Sequence, residues 1–382
     1  MQDPQHPTPA EPATLVRSSF QRLRSGWLLV TACGVSACSS VPDAETQLRY
    51  QASSQYSAKD QRFHNADNPA MQAHANGFQI WSRFLFGDKT GTTPQDAIPV
   101  RPVTAAQLQQ LPADANHIIR LGHSSHLLKL QGGYWLIDPV FGERVSPFSF
   151  IGPKRHHPTP LALSDLPPIA GLVLSHDHYD HLDEPTILYL KDKVERYFVP
   201  LAVGARLRAM GVAPERITEL DWWQQDQHAG VKLTATPAQH FSGRTLSDRN
   251  STLWASWVLD AGGQKIFYSG DTGYFPGFKA IGDKLGPMDV ALMENGAYDP
   301  YWPSVHMTPE ETVQAFADVG GKLLYSVHNS TFALAMHRWR DPMDRLAALS
   351  SANNLALATP EIGEVLTIGQ ARENALWWQN LR

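Results

Sequence analysis

The stretch SHDHYDHLD, residues 175–183, decides the fold because it concentrates ionisable side chains directly behind the apolar run IAGLVL. Neighbouring titratable groups disturb one another unless each finds a partner. His176 and His178 lie two residues apart in extended backbone, so they point the same way and can share one cation. Asp180 and His181 come where the chain turns into a helix and can face a second cation. The stretch therefore predicts half of a two-cation site.

Three further loops carry candidate ligands, and each follows a strand-like run. KLTATPAQH ends at His240, KIFYSGDTG contains Asp271, and KLLYSVHNS contains His328. Binding groups of α/β proteins gather where strands end, because loops meet there over a rigid sheet. We expect His240 to complete the first set of ligands, His328 to complete the second, and the two oxygens of Asp271 to bridge them. The predicted metal ligands are His176, His178, Asp180, His181, His240, Asp271 and His328.

Composition restricts the kind of metal and the kind of partner. The chain has 382 residues, of which 42% are hydrophobic and 18% charged, as in ordinary globular proteins. A formal net charge of −5 argues against a nucleic-acid partner. With 16 His and only 2 Cys, the ligands must be nitrogen and oxygen, which suits Zn²⁺, with Mn²⁺ or Fe²⁺ as alternatives.

Both cysteines lie near the N-terminus, in a segment with the layout of a secretory signal. Arginines precede a short apolar run that starts at Trp27, and polar serines follow it. The tetrads VTAC and VSAC end at Cys33 and Cys38, and both resemble the bacterial lipobox. Cys38 is the favoured lipidation site because a serine-rich tether follows it. Residues 1–38 are therefore interpreted as a signal peptide with lipobox, and the mature protein is expected to face the periplasm as a membrane-anchored lipoprotein of the bacterial cell envelope.

The remainder divides into an arm and one folded domain of mixed α/β class. Residues 39–76 are polar, without sustained periodicity, and are interpreted as a tether and N-terminal arm. Residues 77–382 alternate strand and helix patterns and are interpreted as the folded domain that carries the candidate ligands. A hairpin turn is predicted at Gly132-Gly133, and a helix with a full capping box is predicted to begin at Thr308.

Three polar residues near these motifs are interpreted more conservatively. Asp138 closes the run YWLIDP, where it either caps a turn or orients a ligand histidine. His156 and His157, in GPKRHHPTP, are interpreted as surface loop residues and are left out of the site.

The pattern His-x-His-x-Asp-His, followed in order by His240, Asp271 and His328, resembles the metal motif of the metallo-β-lactamase superfamily. The stretches GHSSHLLKL, IDPVFGERVSPFSFIGPKR, LPPIAGLVLSHDHYDHLD, SGRTLSDRNSTLWASW, YSGDTGYF and SVHNSTFALA are similar to the N-acyl-phosphatidylethanolamine phospholipase D branch of that superfamily. This closer resemblance covers most of residues 115–345. It implies an αββα fold, a four-layer sandwich of two sheets flanked by helices.

The resemblance also implies a mechanism and roles for individual residues. Two Zn²⁺ ions would hold a bridging hydroxide, which attacks the phosphorus of a phosphodiester such as a phospholipid. Asp180 would orient the nucleophile and take up a proton. His306, in PYWPSVHMTPEE, would contact the substrate phosphate and either stabilise charge or protonate the leaving group. Tyr179 would donate a hydrogen bond to the substrate.

Two other functions remain open at this point. The same ligand set would serve a metal-dependent lactonase, which takes a different small-molecule substrate, and the fold would also suit a non-catalytic metal-binding envelope lipoprotein. An apolar channel leading to the metals would favour lipid phosphodiesters, and a small polar pocket would favour lactones. Relatives of the family are often dimers, so a homodimer is allowed, although no interface can be identified from the sequence.

Overall fold

Two seven-stranded sheets form the centre of the computed structural model, which describes residues 44–66, 79, 82–83 and 86–382. Cys33, Cys38 and the rest of the predicted signal segment lie outside the described residues. So do residues 39–43 and 67–76 of the predicted arm. Within the described ranges, no helix combines the length and the apolar character needed to cross a bilayer.

Single α-helices separate strands, or runs of up to five strands, along the described part of the chain. The strands are Tyr56–Ser57 (β1), Arg62–Phe63 (β2), His117–Gly122 (β3), Ser125–Leu130 (β4), Gly133–Ile137 (β5), Ile169–Val173 (β6), Val194–Pro200 (β7), Ile217–Leu220 (β8), Gln225–His228 (β9), Val231–Thr236 (β10), Ser256–Ala261 (β11), Gln264–Tyr268 (β12), Val290–Glu294 (β13), Leu324–Val327 (β14), Leu357–Ala358 (β15) and Val365–Thr367 (β16). The α-helices are Ala44–Gln51 (α1), Ala105–Gln110 (α2), Glu184–Leu190 (α3), Val203–Ala209 (α4), Gly277–Leu285 (α5), Pro309–Asp318 (α6) and Asp341–Ala352 (α7).

The two large sheets have matching topologies. The first has the strand order β16-β3-β4-β5-β6-β7-β8, and the second has the order β15-β14-β13-β12-β11-β10-β9. In the first sheet, β16 to β5 pair antiparallel and β5 to β8 pair parallel. The second sheet pairs antiparallel from β9 to β12 and parallel from β12 to β15.

Alternating side chains produce the four layers. In β5, Trp135 and Ile137 point into a core shared by both sheets, whereas Leu136 between them belongs to a second cluster that includes residues of α3 and α4. The second sheet repeats this arrangement, with Phe267 packing outward against residues of α5 and α6. Strands buried on both faces are apolar at nearly every position, as in β6 and β13. The predicted αββα sandwich is confirmed.

A tryptophan joins the sheets next to the motif that follows β6. Trp257 of β11 is fully buried between the sheets, and its indole N–H donates to the Leu174 carbonyl at 3.0 Å. One residue further on, the Ser175 carbonyl accepts the backbone N–H of Ala255 at 2.9 Å. The second sheet therefore holds the first at the point where the His-rich stretch begins.

The described part of the predicted arm is folded onto the domain. Residues 44–66 form α1 and the β1–β2 hairpin, and the side chains of Tyr50 and Phe63 are buried in the core between the sheets. The Asn65 side chain exchanges hydrogen bonds with the backbone of His240, at 2.9 and 3.0 Å. Because the segment is mostly polar, its two aromatic residues did not indicate burial. Residues that precede the predicted boundary at residue 77 therefore also pack against the domain.

Two local predictions are confirmed, one of them with a shift in position. Thr308 caps α6 with a complete capping box shared with Glu311. The hairpin between β4 and β5 turns at Gln131 and Gly132, whose φ angles are 50° and 81°, and Gly133 is already the first residue of β5. Positive φ at both central residues is the geometry of a type I′ turn.

Candidate metal centre

The first predicted ligand set lies together as expected. The candidate ligand atoms of His176, His178, His240 and Asp271 lie within 4.8 Å of one another. His178 Nδ1 is 2.8 Å from His176 Nε2 and 3.3 Å from His240 Nε2. His176, His240 and Asp271 are buried and His178 is partly buried. Three imidazole nitrogens this close to one another form a pocket suited to a cation.

The second set also lies together, and it includes one additional residue. The candidate ligand atoms of Asp180, His181 and His328 form a group with His123, again within 4.8 Å. Asp180 Oδ2 lies 3.3 Å from His328 Nε2, 3.5 Å from His181 Nε2 and 3.1 Å from His123 Nε2. All seven predicted ligands are thus brought to one edge of the sandwich.

Asp271 lies between the two sets, as its predicted bridging role requires. Its Oδ2 is 3.0 Å from His328 Nε2, 3.1 Å from His181 Nε2 and 3.8 Å from His176 Nε2. Asp271 Oδ1 is buried without a hydrogen-bond partner among the described residues. Buried polar atoms normally have partners, and this one belongs to a nitrogen and oxygen donor set, so the site fits a divalent metal centre.

Outer partners hold the ligand imidazoles in orientation. His181 Nδ1 lies 2.6 Å from Asp138 Oδ2, and the same carboxylate accepts hydrogen bonds from the Ser175 and Tyr268 hydroxyls at 2.5 Å each. His240 Nδ1–H donates to the Val305 carbonyl at 3.0 Å. Because the Nδ1 atoms of both imidazoles are engaged outside the centre, their Nε2 atoms are directed inward with lone pairs for a cation.

Charge within the centre is unbalanced in a way that favours cations. Burial opposes the charged form of His181, but the carboxylates of Asp271 and Asp180 outweigh it and hold the pKa of His181 well above its usual range. Burial likewise opposes ionisation of Asp271, yet His181 overcomes it, and the pKa of Asp271 lies well below its usual range. His176, in contrast, has its pKa lowered by burial. The buried carboxylate of Asp271 and the partly buried one of Asp180 thus attract positive charge, which metal ions would supply.

His306 lies beside the centre with a carboxylate behind it. Its Nδ1–H donates to Glu294 Oε1 at 2.5 Å, and one of its ring nitrogens groups with ligand atoms of Asp271 and His328. Glu294 is fully buried at the end of β13; burial raises its pKa, and the nearby imidazole of His306 opposes that effect. The Glu294 contact holds the ring and leaves Nε2 available to a bound substrate.

Tyr179 packs beside the loop that follows His240, and its contact with substrate stays a prediction. Its hydroxyl donates to the Arg244 carbonyl at 2.9 Å, and the Arg244 guanidinium lies 3.9 Å from the centre of its ring. The ring packs against Val140, Val145 and Phe332. The structure therefore gives Tyr179 a packing contact that holds the loop after His240, and its hydroxyl already has a partner.

For four polar residues near the centre, the sequence did not predict the role or the burial that the structure shows. His123 and Glu294 were not singled out, although each ends a β-patterned run, which is the same signal that identified His328. Asp138 was assigned two roles, and the structure shows that it orients His181. His157, interpreted as a surface residue, is only 4% exposed, and its Nε2 lies 3.0 Å from Thr331 Oγ1. The polar residues between the prolines of GPKRHHPTP gave no indication that His157 is buried.

Comparison with known families identifies the domain. Residues 134–329 match the family model described as "Beta-lactamase superfamily domain", which is just over half of the chain. The chain belongs to the metallo-β-lactamase superfamily. Like the metal-dependent hydrolases of this superfamily, it is a hydrolase that uses a divalent metal.

Relatives within the metallo-β-lactamase superfamily are found in bacteria and eukaryotes. An uncharacterized protein of Mycobacterium tuberculosis is 43% identical over 288 residues, covering 74% of this chain and 77% of the relative. The N-acyl-phosphatidylethanolamine-hydrolyzing phospholipase D 1 of Caenorhabditis elegans is 35% identical over 263 residues, covering 64% and 74%. The second similarity confirms that this superfamily member belongs to the N-acyl-phosphatidylethanolamine phospholipase D-like branch.

Two solved structures share the fold of this chain at low sequence identity. Igni18, a metallo hydrolase from Ignicoccus hospitalis, aligns with a TM-score of 0.52 and 19% identity, covering 67% of this chain and all of that one. A protein from Veillonella parvula described as "a possible metal-dependent hydrolase" aligns with a TM-score of 0.53 and 17% identity, covering 66% of this chain and all of that one. At this identity the likeness concerns the fold alone.

Proposed function

We propose that the protein is a dinuclear-zinc phosphodiesterase of phospholipase D type, acting on N-acyl phosphatidylethanolamine-like or related phosphodiester substrates. The observation that carries the proposal is the pair of ligand clusters that share Asp271, with His306 and its Glu294 partner beside them. The similarity to the Caenorhabditis elegans phospholipase supports the substrate class. Mn²⁺ or Fe²⁺ would suit the same ligands.

The roles of the chain's own residues follow from their positions. Two zinc ions held here would supply a nucleophilic water at neutral pH and neutralise negative charge on the substrate. Asp180, whose Oδ2 lies among imidazole nitrogens, would accept a proton from the attacking water. His306, with Nδ1 held by Glu294, would use Nε2 to contact the phosphate or to protonate the leaving oxygen.

The loop that follows β5 supports a lipid substrate. Phe148, Phe150 and Ile151 are 55%, 77% and 57% exposed, an unusual density of apolar side chains on a surface loop. Val145, at the base of this loop, packs in the same cluster as Tyr179, which belongs to the His-rich stretch. The exposed apolar side chains are thus attached to the same framework as the metal ligands, where they suit acyl chains.

A substrate panel tests the proposal. Metal-loaded protein should hydrolyse bis-(p-nitrophenyl) phosphate and N-acyl phosphatidylethanolamine, with about two zinc ions per chain by elemental analysis. Hydrolysis of simple lactones with no phosphodiester turnover would replace the proposal with a lactonase. Metal binding without turnover of any of these substrates would indicate a non-catalytic binding protein. Assembly as a homodimer stays a prediction, which light scattering would decide.

We also propose that the mature protein is anchored to the bacterial cell envelope, facing the periplasm, through a lipid on Cys38. The lipobox-like VSAC and the serine-rich residues after it support this proposal. Cys38→Ser should leave the protein unprocessed or soluble, and Cys33→Ser is the matched control that should remain in the membrane fraction. Wild-type protein found free in the cytosol would refute the anchor.

A further inference from the structure

A fully buried histidine outside the predicted ligand set touches the second metal pocket. His123 lies in the turn between β3 and β4, is 1% exposed, and places Nε2 3.1 Å from Asp180 Oδ2. Its ring lies against that of His328, with 4.0 Å between the ring centres, and the edge of Phe332 covers another side. The ring is thus confined by packing with one nitrogen directed at a predicted ligand.

The backbone around His123 is held in an unfavourable conformation. His123 has φ 52°, a region that non-glycine residues seldom occupy. Its N–H donates to Thr331 Oγ1 at 2.6 Å, and its carbonyl accepts the N–H of His328 at 3.3 Å. Strained backbone persists where surrounding contacts hold it and is common at functional sites. Here the contacts with Thr331 and His328 hold the backbone so that the imidazole lies beside the metal pocket.

The ligand count separates two roles that His123 could have. With Asp271 shared, each cation would have four protein ligands, so together with the nucleophilic water both sites would be full without His123. The distance from His123 Nε2 to Asp180 Oδ2 is that of a hydrogen bond. We propose that His123 is a positioning residue that donates a hydrogen bond from Nε2 to Asp180 and so holds this carboxylate in place for the second cation. This inference rests on the two-cation centre of the proposed function.

Metal affinity tests the role without using catalysis. His123→Phe keeps the ring packing but removes the donor, so the affinity for the second cation should fall about 10- to 100-fold, the usual effect of losing such a partner. His123→Gln can place an amide N–H near the position of Nε2 and should restore most of that affinity. The measurement is a zinc titration against a competing chelator, with the visible spectrum of cobalt-loaded protein as a second readout.

A matched control lies three residues away. His126 is equally buried, its Nδ1–H donates to the Ser124 carbonyl at 3.0 Å, and its ring packs against Tyr325. His126→Phe should therefore lose a buried hydrogen bond without changing either metal affinity. If His123→Phe does not fold, His123→Asn, whose side chain is too short to reach Asp180, replaces it.

Each outcome decides between specific alternatives. Wild-type affinity for two cations in both the His123→Phe and His123→Asn variants would overturn the positioning role and leave the dinuclear centre intact. An equal loss in the Phe and Gln variants would also overturn it, because that result indicates direct ligation by the imidazole. Wild-type protein that binds fewer than two cations would overturn the dinuclear centre itself, and this inference with it.

Discussion

Asp271 connects the two ligand clusters through one carboxylate. It follows β12 after two residues, and its Oδ2 lies within 3.9 Å of imidazole nitrogens from both clusters. It is also buried, so its charge must be compensated chiefly by neighbouring groups. At the residue scale, the centre depends on this side chain more than on any single histidine.

Removing a ligand should therefore abolish hydrolysis without unfolding the chain. Asp271→Ala should lower the metal content from about two ions per chain to one or fewer, and His178→Ala should empty the first pocket. Far-ultraviolet circular dichroism checks the fold, and elemental analysis checks the metal. Turnover that survives in metal-depleted protein would contradict the expectation.

His306 should be needed for turnover but not for metal binding. His306→Gln should lower the turnover number about 10²- to 10⁴-fold, the usual contribution of a general acid, while metal content stays at the wild-type value. His228→Gln is the matched control, because its Nε2 lies 3.2 Å from a surface carboxylate, that of Glu195. A loss of zinc in His306→Gln would instead assign the residue to the metal ligands.

The sequence contained the ligands but not all of their partners. His176, His178, Asp180 and His181 could be predicted because they crowd one short stretch. Glu294 ends a β-patterned run as His328 follows one, but its role could not be predicted, since a lone carboxylate after an apolar run usually caps a turn. Its partner His306 lies twelve residues further on, and only the packing of α6 beside β13 brings the two together.

At the scale of elements, α6 begins next to the catalytic region. Its capping residue Thr308 lies two residues after His306, and the Thr308 N–H donates to Glu311 Oε2 at 2.8 Å. Helix α2 has a capping box of the same kind, formed by Thr104 and Gln107, on the outer side of the first sheet. The chain thus offers two equivalent helix starts, one of them near the site.

Loss of either cap should lower stability, but only one should affect turnover. Thr308→Ala and Thr104→Ala should each reduce the free energy of unfolding by about 1 kcal/mol. Thr308→Ala should also reduce turnover several-fold, because fraying of the first turn loosens the loop that carries His306. Urea denaturation and steady-state kinetics measure the two effects. Equal turnover in both variants would refute the coupling.

Element types could be predicted from local pattern, and pairing partners could not. The capping box at Thr308 and the glycine turn after β4 are local signals, readable within a few residues. The pairing of β16 with β3 joins Val365 to Ile119 across most of the chain, and no short pattern specifies it. The buried arm escaped for a related reason, since Phe63 is one aromatic residue among polar neighbours.

At the scale of the whole molecule, buried neutral histidines should make the fold sensitive to acid. Burial lowers the pKa of His126 and of His157 to about 3 each. In the unfolded chain both would titrate near 6.5, so the unfolded state binds more protons below that pH. The stability that depends on neutral imidazoles is therefore present above about pH 6.5 and lost as pH falls toward 3.

One substitution isolates this effect. His126→Asn keeps a donor for the Ser124 carbonyl but cannot titrate, so its free energy of unfolding should fall less between pH 7 and pH 5, by about 2 kcal/mol relative to wild type. Acid release of metal acts on both proteins and cancels in the comparison. Parallel pH profiles for the two proteins would contradict the prediction.

Trp257 lies between the two sheets that carry the metal ligands. The first cluster takes His176 and His178 from one sheet and His240 from the other, so the gap between the sheets sets how far apart these ligands stand. The indole that spans this gap and reaches the Leu174 carbonyl works as a spacer of fixed length. A shorter side chain there would allow the two sheets to shift relative to one another. A substitution in the hydrophobic interior would thereby lower the affinity of the enzyme for metal.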